Sequence, residues 1–231
     1  MADARTRGRA DERGPERTHE RTHERLAHDE RRGSILTAVR ELCQEEGMAG
    51  LSISAITKRV GCTRSLFYHY FPSKEAALDA ALDDSIDRMI DRLRAWDAQR
   101  ERGNIEGALD SVAALLISIV RSEEGLARGL SNGEGAAGSA VPGTSAAVSY
   151  TDYIHRVVDR AVRYICDSTV VDFAAHHEVK IDHIYETFYV LVSGLVMYLR
   201  THPGADEALV KEIIASTLHI EGYTAKYRDR A

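Results

Sequence analysis

The side chains with the clearest chemical potential lie between Thr63 and Lys74. In the run Thr63-Arg64-Ser65-Leu66-Phe67-Tyr68-His69-Tyr70, helical spacing turns Leu66 and Phe67 inward. Thr63, Arg64, Ser65, Tyr68 and His69 then face outward: hydroxyls, a guanidinium, a phenol and an imidazole, with no carboxylate. Such a face offers donors to base edges and phosphate oxygens and sets no anion against an anion. Lys74 opens the next helix, where free N–H groups also point at a bound anion. A lysine opposes the helix dipole at that position, and a nearby phosphate makes sense of it.

Three other strings match catalytic signatures. His19-Glu20-Arg21-Thr22-His23 fits a zinc-hydrolase pattern, with two imidazoles on one helix face and Glu20 as general base. It arises from the tandem Glu-Arg-Thr-His repeat at 16–23, in a segment with almost no apolar side chains to build a dry cavity. A solvated charged tail is the expectation there. Gly129-Leu130-Ser131-Asn132-Gly133 fits a nucleophile elbow but lacks the preceding buried strand. Gly133-Glu134-Gly135-Ala136-Ala137-Gly138 fits a dinucleotide loop, yet Pro142-Gly143 interrupts the helix that should follow. No residue is assigned a catalytic role, and no metal or cofactor is expected.

The elements that must position the Thr63–Lys74 face follow from hydrophobic period and punctuation. Residues 1–30 read as a charged, flexible extension or a solvated helix running into the next one. After Arg32, the residues Ile35, Ala38, Val39 and Leu42 share one helical face, with Gly47 as C-cap. A short helix over 54–60 has Ser52 as its cap, Gly61 supplies a turn, and Thr63 caps the next helix. Phe71-Pro72 ends it, and Ser73 caps a fourth helix reaching Trp96. Two short helices joined through Gly61 make a helix-turn-helix. Further helices are predicted over 105–121, 146–168, 180–201 and 206–227, and a loop over 129–145. The expected fold is all-α: an extension (1–30), a helix-turn-helix DNA-binding domain (31–78) and a helical regulatory and dimerisation domain (79–231).

Composition supports this division. The 231 residues are 44% hydrophobic, enough for a core, and the net charge of −6 argues against a general polyanion binder. Yet residues 31–80 hold seven Lys/Arg against five Asp/Glu, whereas 81–231 hold 16 against 23. No apolar run is long enough to span a bilayer. Three widely spaced cysteines suit a reducing cytoplasm rather than a disulfide framework.

Glu45-Glu46-Gly47 followed by Gly61-Cys62-Thr63-Arg64-Ser65-Leu66-Phe67-Tyr68-His69-Tyr70-Phe71-Pro72-Ser73-Lys74-Glu75 resembles the TetR family of one-component transcriptional regulators, over about residues 31–82. The resemblance implies that Thr63 caps the recognition helix and that Arg64 and Ser65 contact DNA. It also implies that Tyr68 and Tyr70 meet phosphates and that Lys74 is a phosphate lysine. Ser52 and His69 complete the candidate DNA-facing set. Thr57 replaces the usual Ala, Cys62 the usual Val, and Tyr70 a common His, so base preference transfers less readily. By resemblance, the remainder is a helical domain that dimerises and holds a small effector, and the whole is a repressor acting as a homodimer on a palindromic operator.

Beyond residue 82 the residues themselves say less. The 181–199 stretch is apolar nearly all round, and Ser193-Gly194 permits close helix approach. Tyr189, Ser193, Gly194, Met197, Val210, Ile214 and Thr217 are therefore the candidate dimer interface. Tyr153, Tyr185 and Phe188 are the candidate lining of a largely apolar effector site. The competing class is a helical enzyme or binding module using the His19/His23 pair or an aromatic pocket.

Overall fold

The computed structural model describes the backbone of residues 14–134, 150–176 and 178–220, and side chains from Ala27 onward within those ranges apart from 132–134. Every regular element among them is helical. Helix α1 (Gly14–Gly50) breaks at Gly47, whose φ of 69° is the left-handed conformation glycine adopts without strain. The helix thus begins well before Arg32, continuing out of the charged repeat. The His19/His23 pair itself lies outside the described side chains.

Helices α2 (Ile53–Val60) and α3 (Arg64–Tyr70) are short and locally specified. Ser52 Oγ accepts from the Ala55 N–H at 3.1 Å, and Thr63 Oγ1 from the Leu66 N–H at 3.2 Å. Gly61 closes α2 in the left-handed conformation with φ 69°. Helix α4 (Lys74–Gln99) starts from Ser73, whose Oγ accepts from Ala76 N–H. Then come α5 (Ile105–Ser122), α6 (Glu124–Glu134), α7 (Tyr150–Tyr164), a single π-helical stretch over 165–169, α8 (Val170–Ala174), α9 (Ile184–Thr201) and α10 (Glu207–Thr217).

The predicted loop over 129–145 is corrected in its first part, because α6 continues through Glu134; residues 135–149 lie outside the described residues. The glycines that suggested a loop serve packing instead. A Cβ on Gly129 would fall 2.0 Å from the Cys43 carbonyl oxygen, so only glycine lets α6 lie this close to α1. Gly125, one turn earlier, faces Gln44. The nucleophile-elbow match is therefore part of a helix–helix contact. The predicted last helix ends at Thr217, and its continuation beyond Ile220 lies outside the described residues.

Two cores result. The first joins α1–α4, α6 and α7 around Ile35, Val39, Ile56, Phe67, Leu82 and Ile86, all fully buried. Burying a side chain of the size of Phe67 contributes about 2–3 kcal/mol. Cys43 lies here, and burial pushes its thiol up to about 11, which leaves it inert. The second core joins α5, α9 and α10 through Leu109, Ala113, Leu195, Leu199, Val210 and Ile214. Arginines bridge α7 to α4: Arg156 pairs with Asp79 and Asp83, and Arg160 with Asp87.

Candidate nucleic-acid interface

Helix α3 stands on Phe67, which is fully buried, and on Phe71 just past its end. With that side anchored, Arg64, Ser65, Tyr68 and His69 are exposed. Tyr68 is 54% exposed, so its ring and hydroxyl are open to an incoming partner. No acidic side chain occurs on α3. Arg64 makes no ion pair or hydrogen bond among the described residues, so its guanidinium is free for an incoming anion or base edge.

Helix α2 is locked to α1 rather than free. Arg59 donates to both Glu45 oxygens, at 2.9 and 2.6 Å, and lies 3.6 Å from Glu41. The Arg59 hydrogen bond holds the Glu45 carboxyl below the ordinary range. Glu45 thus orients the helix pair. Thr57 is buried and its hydroxyl donates to the Ser54 carbonyl at 3.2 Å, so this departure from the usual Ala is absorbed within the helix.

The remaining predicted residues divide by environment. The Ser52 and Thr63 oxygens accept capping hydrogen bonds, leaving each hydroxyl hydrogen to donate outward. Tyr70 is half-buried against the first core, its ring 4.6 Å from that of His28. Lys74 is half-buried and its Nζ donates to the Leu51 carbonyl at 3.3 Å, which holds the ammonium beside the α2 entrance. Sequence reasoning missed His28, which also approaches the His69 ring at 6.0 Å. Its signal was the helical continuity of α1 through the charged segment. Lys58, Arg31 and the partly stacked Arg32 add exposed cations on the same module.

Residues 35–81 match the sequence pattern of "Bacterial regulatory proteins, tetR family". The chain thus carries a helix-turn-helix module of tetR-family type. Over 50 residues the chain is 40% identical to the HTH-type transcriptional regulator EthR of Mycobacterium tuberculosis, and equally to EthR of Mycolicibacterium smegmatis. That match covers 22% of this chain and spans only 23% of the length of either EthR. Over most of the chain the likeness is one of fold. A putative TetR-family regulator from Rhodococcus sp. superposes with a TM-score of 0.53 at 20% identity, covering 83% of this chain and 98% of that one. A putative TetR-family regulator from Mesorhizobium loti gives 0.59 at 13% identity, covering 85% and 96%. The fatty acid degradation regulator FadR from Bacillus halodurans gives 0.58 at 16%, covering 83% and 96%. The likeness of fold thus extends over both regions, whereas the closer sequence likeness is limited to 22% of the chain.

In the C-terminal region, a cavity of about 390 Å³ lies among α4, α5, α7, α9 and α10. Phe188 lines it, but Tyr153 and Tyr185 do not. Tyr153 points from α7 into the first core, fully packed, where burial pushes its hydroxyl up beyond any ordinary tyrosine. Tyr185 sits on the outer turn of α9, its hydroxyl donating to Asp159 at 2.6 Å. Both corrections have one cause: aromaticity shows that a side chain seeks burial, not which of two interiors receives it. Of the candidate interface, Val210 and Ile214 are buried in this chain's own second core and present little surface to a partner. Gly194, Met197 and Thr217 are exposed, and Tyr189 and Ser193 half-buried. Val190, not singled out beforehand, is 71% exposed. Among the described residues, no group of three or more His, Cys, Asp or Glu could hold a metal ion, and no helix is long and apolar enough to cross a membrane.

Proposed function

We propose that this chain is a sequence-specific DNA-binding transcriptional regulator, not an enzyme, that acts in the cytoplasm as a homodimer and is released from a palindromic operator by a small, largely apolar effector. The exposed, carboxylate-free face of α3, with Arg64 unpaired and Tyr68 more than half exposed, carries the reading. In this reading α3 enters the major groove. Arg64 and Ser65 meet base edges or adjoining phosphates, Tyr68 and His69 meet backbone oxygens, and Lys74 clamps a phosphate at the start of α4.

One α3 reads only a few base pairs, so a two-fold partner doubles the contact set. Val190, Gly194 and Met197 form an outward stripe on α9 at i, i+4 and i+7, and a Cβ at Gly194 would meet nothing within 4 Å. A partner's α9 seated on that stripe would cover two exposed apolar side chains. An effector in the 390 Å³ cavity would act by favouring a spacing of the two α3 helices that misses successive major grooves.

A gel shift with DNA flanking the protein's own gene tests this. Retarded complexes with a two-fold half-site footprint are expected. Arg64→Ala should weaken operator binding about tenfold or more, and Tyr68→Phe or Lys74→Ala should weaken it and flatten its salt dependence. Failure to retard any sequence from a random duplex library would defeat the reading.

A further inference from the structure

The regulatory cavity is almost wholly aliphatic and aromatic: Ile90, Leu93, Leu116, Phe188 and Leu195 are typical of its wall. Its exceptions are few. Glu178, Lys180 and His219 are exposed, so they stand at its rim. Arg100 differs, because its side chain is only 4% exposed and yet it lines the cavity.

Arg100 is held on two sides. Its Nε donates to Asp97 at 2.6 Å and its Nη2 to Asp172 at 2.7 Å. Asp97 is in turn fixed by the Tyr164 hydroxyl at 3.0 Å, Ser168 at 2.7 Å and Thr169 at 3.2 Å. Ser168 and Thr169 lie in the single π-helical stretch of the chain's described residues, a local widening that brings their hydroxyls round to α4. Such stretches recur at functional sites. Arg100 Nη1 has no acceptor among the described residues. The arrangement therefore leaves Nη1, on an immobilised side chain that lines an apolar cavity, with hydrogens to donate.

Charge balance decides what that donor can take. Arg100 and the exposed Arg102, 3.2 Å from Asp172, stand against Asp97 and Asp172, so the cluster holds no surplus positive charge. A carboxylate head would lose its water beside two carboxylates. A neutral carbonyl oxygen accepts the same hydrogen bond without that penalty. We infer that the cavity takes an elongated, uncharged apolar molecule bearing one carbonyl-class acceptor, which Arg100 receives at the end marked by the π-helical stretch. This deepens the effector reading above and rests on it.

Trp96 provides the readout. It is the chain's only tryptophan, it lines the cavity, and Arg100 lies 5.8 Å from its ring centroid. Its emission should be titrated in the full chain with three matched probes: undecan-2-one, undecane and decanoate. The ketone is expected to bind about tenfold or more tightly than either of the others. Arg100→Lys should bring the ketone down towards undecane and leave undecane itself unchanged. Equal affinity for ketone and alkane would overturn the acceptor site, and a preference for decanoate would overturn the charge argument. The wild-type ranking decides the matter even if the variant does not fold. Silence of Trp96 towards all three probes would overturn the cavity as a binding site. The predicted ranking with an undisturbed operator complex would support the acceptor site and sink the effector reading alone.

Discussion

The two cores of this chain solve opposite problems. The first, beneath α2 and α3, is filled: Ile35, Val39, Ile56 and Phe67 have no exposed surface. The second, among α5, α9 and α10, adjoins a cavity of about 390 Å³. A filled core fixes a surface, as the α3 face requires if donors are to meet a duplex in one register. A core with space in it forgoes dispersion contacts along the cavity wall and leaves volume into which its side chains can adapt. Rigidity and vacancy are thus divided between the regions, and α4 runs through both.

Matched truncations of phenylalanine give the strongest way to break this comparison. Phe67→Ala should destabilise the chain by about 4 kcal/mol. Phe188→Ala, whose ring already faces empty space, should cost clearly less, about 1–2 kcal/mol. Urea denaturation monitored by circular dichroism measures both, and equal losses would erase the distinction. Next in size is Gly129→Ala. Its Cβ would meet backbone at 2.0 Å, so α6 must shift away from α1. About 3 kcal/mol is expected from such overpacking, and an unchanged midpoint would show that the α1–α6 approach is looser than described.

Removing the cap of α3 probes the same rigid module more gently. Thr63→Ala loses the acceptor for the Leu66 N–H and should cost about 1 kcal/mol. The smallest effect concerns Glu123, at the junction of α5 and α6, which accepts from Ser85 Oγ at 3.1 Å. Burial raises its carboxyl above the ordinary value, outweighing that hydrogen bond and the nearby Arg40 and Arg92. The folded state therefore holds this proton more tightly than the unfolded chain. Its contribution to stability is present below the ordinary value and falls as pH rises from about 4.5 through the raised one. Glu123→Gln should remove that part of the pH dependence and leave neutral-pH stability equal or slightly higher. A pH series of denaturation midpoints, steepest in the variant, would contradict this.

Legibility in the sequence followed the same division. In the first region short-range signals agreed with one another: Ser52, Thr63 and Ser73 each accept the hydrogen bond expected of a cap. Gly61 adopts the left-handed turn, and α3 buries Phe67 while exposing Arg64 and Tyr68. Each of these is decided within four residues, by backbone groups needing partners and by the period of the helix. Gly129 misled for a complementary reason. Glycine reads locally as a loop former, and its use as a contact surface exists only when α1 is present.

The amino-acid order alone, then, determined an all-helical chain and a capped helix pair with a cationic outer face, since these depend on neighbours in sequence. Tertiary structure alone decided which interior each aromatic entered. It sent Tyr153 to the filled core and Phe188 to the cavity wall, and it brought Asp97, Arg100 and Asp172 into one buried cluster. Asp172 lies 72 residues from Arg100. No local pattern encodes such a meeting, because its energy comes from desolvated charges that find one another only after the helices have packed.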